Sequence, residues 1–177
     1  MLQLAQTRLI YISNLNNKVC DYGLSFTEKN TNLFTEKINW SCKIKTTHKS
    51  FQNILIHSDL LDLKLEILKH CDLYMRETNS FFDGFIDQSW INLYEKGFYQ
   101  EFHRHDNKIY QHISGVVYLS NQNSNIDFFI DDTFTHEPKK GEIIIFDNSI
   151  EHQVRPNQNE KPRISLAFNF RKCVHHA

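Results

Sequence analysis

His103 and His105 stand two residues apart, His152 follows far downstream, and Arg163 comes just beyond it. On an extended strand, residues i and i+2 point the same way, so both imidazoles of the pair can converge on one ion. A third imidazole from a distant strand would complete one face of a metal and leave the other open. Open positions are what a catalytic Fe(II) needs to hold a cosubstrate and dioxygen. An arginine close by would supply a fixed cation for the far end of an acidic cosubstrate. His-x-His alone is a weak signal, because surface histidines at a strand end read the same way. The downstream residues strengthen it.

Strands must hold these residues, and the sequence after Asp83 supplies them as short apolar runs divided by polar turns. The predicted strands are Gln88–Tyr94, Phe98–His103, Ile113–Leu119, Ile126–Ile130, Glu142–Phe146, His152–Arg155 and Ile164–Phe170. Turn clusters stand at Asn121–Asn125, Pro138–Gly141 and Pro156–Asn159. His103-Arg104-His105-Asp106 ends one strand and opens a polar loop, where sites are usually built. Arg163 and Ser165 share one strand face by the period of two. Arg163 reads either as a solvated cation at a strand's start or as an inward group. An unpaired charge inside a barrel costs ~3–5 kcal/mol, so an inward Arg163 needs an anion, and a carboxylate fits its planar fork.

The first half carries weaker signals. Leu9–Ile12 and Trp40–Ile44 are strand-like, and Glu28–Asn39 reads as loop. Ser58 starts the clearest helix, with Ser58 or Asp59 as cap and an end near Thr78-Asn79 before Gly84. Leu61, Leu65, Leu68 and Met75 follow one face, widened by Leu60 and Ile67, and that face should cover a sheet. The predicted fold is mainly β with flanking helices, a double-stranded β-helix (jelly roll) core with helices outside. The expected organisation is one domain over 1–177, with N-terminal strands and a supporting helix over 1–83 and the catalytic core over 84–171.

Composition narrows the classes. The chain has 177 residues, a net charge of -1 and no basic stripe, which argues against a nucleic-acid partner. Cys20, Cys42, Cys71 and Cys173 form no CxxC pair, so free thiols in a reduced cytoplasm are expected. Leu2–Ile10 is too short and too polar for a signal peptide, and no apolar run approaches the ~20 residues of a membrane span. Seven of the ten histidines (His48, His57, His70, His112, His136, His175 and His176) have no spacing that singles them out.

At this point the motifs carry a family resemblance. Ser89-Trp90-Ile91-Asn92, Gly97, His103-x-His105 and Ser114-Gly115-Val116-Val117-Tyr118-Leu119 resemble the first half of the 2-oxoglutarate/Fe(II) oxygenases common in phages and marine bacteria. Gly141, Phe146, His152-Gln153-Val154-Arg155-Pro156-Asn157 and Arg163-Ile164-Ser165-Leu166-Ala167-Phe168-Asn169 are similar to the second half. The resemblance spans about Ser89 to Phe170. It implies a double-stranded β-helix that binds Fe(II) and 2-oxoglutarate. The wider superfamily holds iron with a His-x-Asp/Glu pair and a distal histidine, so the resemblance makes His103 the first ligand and His152 the distal one. The middle position is His105, a departure from the carboxylate, and the neighbouring Asp106 could serve instead. His105 is favoured because i and i+2 share a strand face, whereas i+3 needs the loop to turn back.

By the same resemblance Arg163 would pair with the distal carboxylate of 2-oxoglutarate. Ser165 would add a hydroxyl, Tyr118 would stand near that carboxylate, and Asn92 would line the keto-acid pocket. Tyr94 reads equally as pocket wall or core. Asp147-Asn148 replace the family's Pro-Ser, which bears on the shape of the loop before His152. Asp106 or Asp127 is expected to orient the imidazoles. The implied reaction hydroxylates an aliphatic C–H bond and releases succinate and carbon dioxide.

Two rival readings stand beside it. A cupin-type metal dioxygenase or isomerase would use Gly97 and His103-x-His105, but Ile109 and Tyr110 stand where its glutamate belongs, and Arg163 has no role. A non-catalytic jelly-roll binding module would not need all of His103, His105, His152 and Arg163. The substrate, a small molecule or a protein side chain, is not legible, and a homodimer is left open. The loops Asn107–His112 and Asp131–Lys140 contain nothing specific.

Overall fold

Polar and apolar residues alternate over much of the chain beyond residue 83, and two antiparallel sheets result. The computed structural model describes residues 10–36, 42–80, 83–105, 112–121 and 124–173. Along the chain β1 (Tyr11–Asn14) leads to α1 (Asn17–Lys29), then β2 (Thr35–Glu36) and β3 (Lys45–Thr46). Two 3₁₀ turns, Ile54–Ile56 and Ser58–Leu60, run into α2 (Leu61–Glu77). The strands β4 (Gly84–Tyr94), β5 (Gln100–His103), β6 (His112–Tyr118) and β7 (Ile126–Phe129) follow. Then come β8 (Thr133–His136), β9 (Glu142–Asp147), β10 (Glu151–Val154) and β11 (Arg163–Lys172).

Seven strands form one sheet in the order β1-β9-β6-β11-β4-β3-β2, and four form the other in the order β5-β10-β7-β8. Their pairings are antiparallel, and the core is a jelly roll. β9 explains why a central strand reads as an unbroken apolar run. Ile143 and Ile145 join a cluster with Leu63 and Ile67 of α2, while Ile144 and Phe146 pack against Ile126 and Phe128 of the four-stranded sheet. Both faces of β9 are therefore dry, and each fully buried aliphatic side chain contributes ~1.5–3 kcal/mol. Gly115 pairs with Phe168 across β6 and β11, and a Cβ there would lie 2.2 Å from the Phe168 ring. Only glycine lets that ring lie across the strand.

The predicted strands of the second half appear with ends shifted by a few residues. β8 was not anticipated; it is a short, largely exposed edge strand of polar sequence. In the first half, α1 occupies a stretch for which the sequence suggested no element. Its cap is Asn16, whose side chain accepts from Lys18 N at 2.9 Å, and its buried residues are Cys20, Gly23, Phe26 and Thr27. Helix α2 lies where expected, with Ile67 and Met75 buried as read, but its buried face turns away from Leu61 and Leu65. Leu61 and Leu65 are 53% and 56% exposed, and the core side is Leu63, Ile67, His70, Cys71, Tyr74 and Met75. The 3₁₀ turn before α2 is capped by His57, not by Ser58 or Asp59. Trp40, Asp106 and the terminal His175 and His176 lie outside the described residues. Among the described residues no helix is long and apolar enough to cross a membrane.

Candidate active site

Antiparallel pairing of β5 with β10 sets His103 directly opposite His152, so two residues 49 apart in sequence become cross-strand neighbours. His105 follows two residues after His103, just beyond the end of β5. The three rings converge: centroids lie 4.2 Å apart for His103 and His152, 5.2 Å for His103 and His105, and 5.3 Å for His105 and His152. One ring nitrogen from each lies within 4.8 Å of the other two. That spacing suits three imidazole ligands on one face of an ion.

The backbone sets which nitrogens face inward. His103 Nδ1 lies 2.8 Å from Glu101 O, and His152 Nδ1 lies 3.0 Å from Ile150 O. A carbonyl only accepts, so each Nδ1 carries the proton and each Nε2 keeps its lone pair for the site. Burial holds the His152 pKa well below the usual histidine range, and His103 and His105 press it further down. His152 is therefore neutral at neutral pH, the form that binds metal. His105 is placed by Asn148: its backbone N–H donates to Asn148 O at 3.0 Å, and Asn148 Nδ2 donates to His105 O at 3.1 Å.

Asp127 does not orient an imidazole. Its carboxylate accepts from Thr135 Oγ1 at 2.8 Å, Gln153 Nε2 at 2.9 Å and Arg155 Nε at 2.8 Å. It pairs in register with Gln153 while Phe128 pairs with His152, so strand alternation turns Asp127 to the opposite face of the sheet. Burial acts to raise its pKa, but these donors together hold it below the usual carboxylate value. Backbone carbonyls orient His103 and His152 instead.

The keto-acid candidates lie on the facing sheet, brought together by register. Ser165 pairs with Asn92 on one side and Tyr118 on the other, and Arg163 pairs with Tyr94. Arg163 is 2% exposed, and its guanidinium stacks 4.0 Å over the Tyr94 ring. Nη1 donates to Ser124 Oγ and, at 3.2 Å, to Arg155 O. Nε and Nη2 have no hydrogen-bond partner among the described residues. Burial lowers the Arg163 pKa, with Tyr94 and Tyr118 acting the other way. Burial also raises both phenols, so neither supplies an anion. The result is a desolvated cation with two guanidinium nitrogens unused.

Arg163, Ser165, Tyr118 and Asn92 line the same pocket as the three histidines, a space of about 510 Å³ with its open mouth included. Sequence reasoning missed Gln100, whose Nε2 lies 3.1 Å from His103 Nε2 and whose Oε1 accepts from the Tyr94 hydroxyl at 2.9 Å. It also missed Ser124, Asn148 and Trp90 as site residues. Trp90 stands in a quoted motif, and its ring stacks on His105 with 6.2 Å between centroids. The remaining histidines include ordinary structural ones: His70 meets the Tyr11 hydroxyl at 3.0 Å, and His136 pairs with Glu142 at 2.7 Å.

Residues 122–169 match the family described as "Putative 2OG-Fe(II) oxygenase". The matched stretch holds His152, Arg163 and Ser165. The likeness to this family covers about a quarter of the chain. The fold is shared with a Pseudomonas putida prolyl-4-hydroxylase, at TM-score 0.73 and 15% identity over 95% of each chain. It is shared also with a viral collagen prolyl hydroxylase from Paramecium bursaria Chlorella virus-1, in its 2-oxoglutarate complex, at TM-score 0.69 and 14% identity over 96% of this chain and 99% of that one. HygX from Streptomyces hygroscopicus, with nickel, 2-oxoglutarate and hygromycin B bound, aligns at TM-score 0.67 and 10% identity over 97% of this chain and 88% of its own. Identities this low show the fold alone. Comparison with curated protein sequences gives no match.

Proposed function

We propose that this chain is a non-haem Fe(II)- and 2-oxoglutarate-dependent dioxygenase that hydroxylates an aliphatic C–H bond. One observation carries the reading. A single pocket combines three converging imidazoles with a buried arginine whose Nε and Nη2 have no partner among the described residues. A dicarboxylate that reaches from a metal to Arg163 answers both features. When bound, Fe(II) and 2-oxoglutarate supply the oxidative decarboxylation, which yields succinate and carbon dioxide, and the power to oxidise a C–H bond.

This chain's own residues bind and orient. His103, His105 and His152 would hold the metal, with the ring lone pairs of His103 and His152 set by bonds to backbone carbonyls. Arg163 grips the distal carboxylate through two parallel N–H groups, pre-aimed by the Tyr94 ring and Ser124. Ser165, Tyr118 and Asn92 form the row beside it and keep the acid in register with the metal. Apolar neighbours such as Ile126 and Phe146 keep water out. With three neutral ligands, a divalent metal and the doubly charged keto acid balance without a protein carboxylate. HygX, with nickel and 2-oxoglutarate bound on the same fold, supports the pairing. The cupin reading leaves Arg163 without work.

The test is an anaerobic titration of the Fe(II) protein with 2-oxoglutarate, followed by its weak visible charge-transfer band. The band is expected in the wild type and should need far more keto acid in Arg163→Ala. Iron bound with no band, and no effect of Arg163→Ala, would sink the proposal.

A further inference from the structure

Four buried polar atoms on pocket-lining side chains have no hydrogen-bond partner among the described residues: Arg163 Nε and Nη2, Trp90 Nε1 and Asn92 Oδ1. A buried group left unpaired costs ~1–3 kcal/mol, so each one implies a ligand atom. The 2-oxoglutarate dianion has acceptors only. It can satisfy Arg163, but it has no hydrogen to give to Asn92 Oδ1. A second molecule must do that.

Asn92 lines the pocket, and its Oδ1 is a buried acceptor without a donor among the described residues. Trp90 is two residues earlier on β4 and on the same face, with Ala167 and Ser165 as the respective partners of Trp90 and Asn92 across β11. The Trp90 indole is 4% exposed and stacks on His105 at an interplanar angle of 24°.

We propose that Trp90 Nε1 and Asn92 Oδ1 bind the primary substrate through an uncharged amide, a carboxamide or a peptide group. Its carbonyl accepts from the indole and its N–H donates to the asparagine. An amide answers both atoms with one group, because its donor and its acceptor sit on separate atoms. The inference rests on the oxygenase reading and deepens it.

The full chain, ¹⁵N-labelled and loaded with Zn(II) and 2-oxoglutarate, is titrated with N-methylacetamide while the indole N–H signals are followed. Trp90→Phe identifies the Trp90 signal as the one that vanishes. That signal should move saturably with N-methylacetamide. Methyl acetate, an acceptor without a donor, should bind about tenfold more weakly, and Asn92→Leu should weaken the amide about tenfold, to the level of the ester. Equal binding of amide and ester overturns the proposal. So does a signal that moves with 2-oxoglutarate alone and responds to neither probe. The charge-transfer band of the Fe(II) protein separates the failures: no band sinks the oxygenase reading itself, whereas a band with a silent indole sinks only this proposal.

Discussion

On β11, Ile164, Leu166, Phe168 and Phe170 join the apolar cluster beneath the helices, while Arg163, Ser165 and Ala167 line the pocket between the sheets. Asn169 shares the polar face, yet it is satisfied: it accepts from Ser114 Oγ and donates to Gln88 Oε1, both at 3.0 Å. Arg163, six residues away, keeps two buried nitrogens without a partner among the described residues. The apolar face stabilises the sheet, and polarity on the other face does not by itself mark a site. What distinguishes the site is polarity left unpaired where burial makes that costly.

Substitutions on either face should separate these roles. Leu166→Ala, on the helix side, should cost about 3 kcal/mol in urea unfolding, with the keto-acid affinity of the folded protein unchanged; a loss of binding would show that the faces are coupled. Arg163→Leu should weaken 2-oxoglutarate about a hundredfold by calorimetry of the metal-loaded protein, in the range of a lost buried charge partner. Its stability should hold or rise, because the variant no longer buries an unpaired cation. Arg163→Lys should not restore binding, since an ammonium cannot reproduce the fork. Gly115→Ala should cost about 2 kcal/mol by overpacking against Phe168. The smallest effect belongs to the outer side of the other sheet, where Asp127→Asn should cost about 1 kcal/mol through its bonds to Thr135 and Gln153. Because the folded Asp127 pKa is depressed, its contribution is complete above the unfolded value near ~3.9 and is lost as pH falls through the folded value. The acid limb of a stability–pH curve should therefore be shallower in Asp127→Asn.

The second half of the fold was legible because its strands alternate with period two and its turns carry Gly, Pro and Asn. The first half was not. In α1 the buried stripe is made partly of Cys20, Gly23 and Thr27, with Leu119 and Leu63 packed close over Gly23. Such a stripe carries little hydrophobic signal. In α2, leucines occur at 61, 63, 65, 68 and 73, almost all round the helix, so periodicity could not choose the buried face. Packing on the seven-stranded sheet did, where Leu63 and Ile67 join Ile143 and Ile145 of β9. Residue type and spacing single out His103, His105, His152 and Arg163. Gln100, Asn148 and Trp90 act through contacts across strands, to Tyr94, His105 and the pocket, and no local pattern encodes those.

The central claim is that one pocket joins a metal end to an acid end. Release of labelled carbon dioxide from 2-oxoglutarate carrying label at its C1 carboxylate, with and without Fe(II), tests it most directly. The wild type should release it only with iron, and His152→Ala and Arg163→Leu should each lower it to the iron-free level. Iron-dependent release that survives Arg163→Leu unchanged, or none from wild-type protein shown to bind iron, would contradict the account.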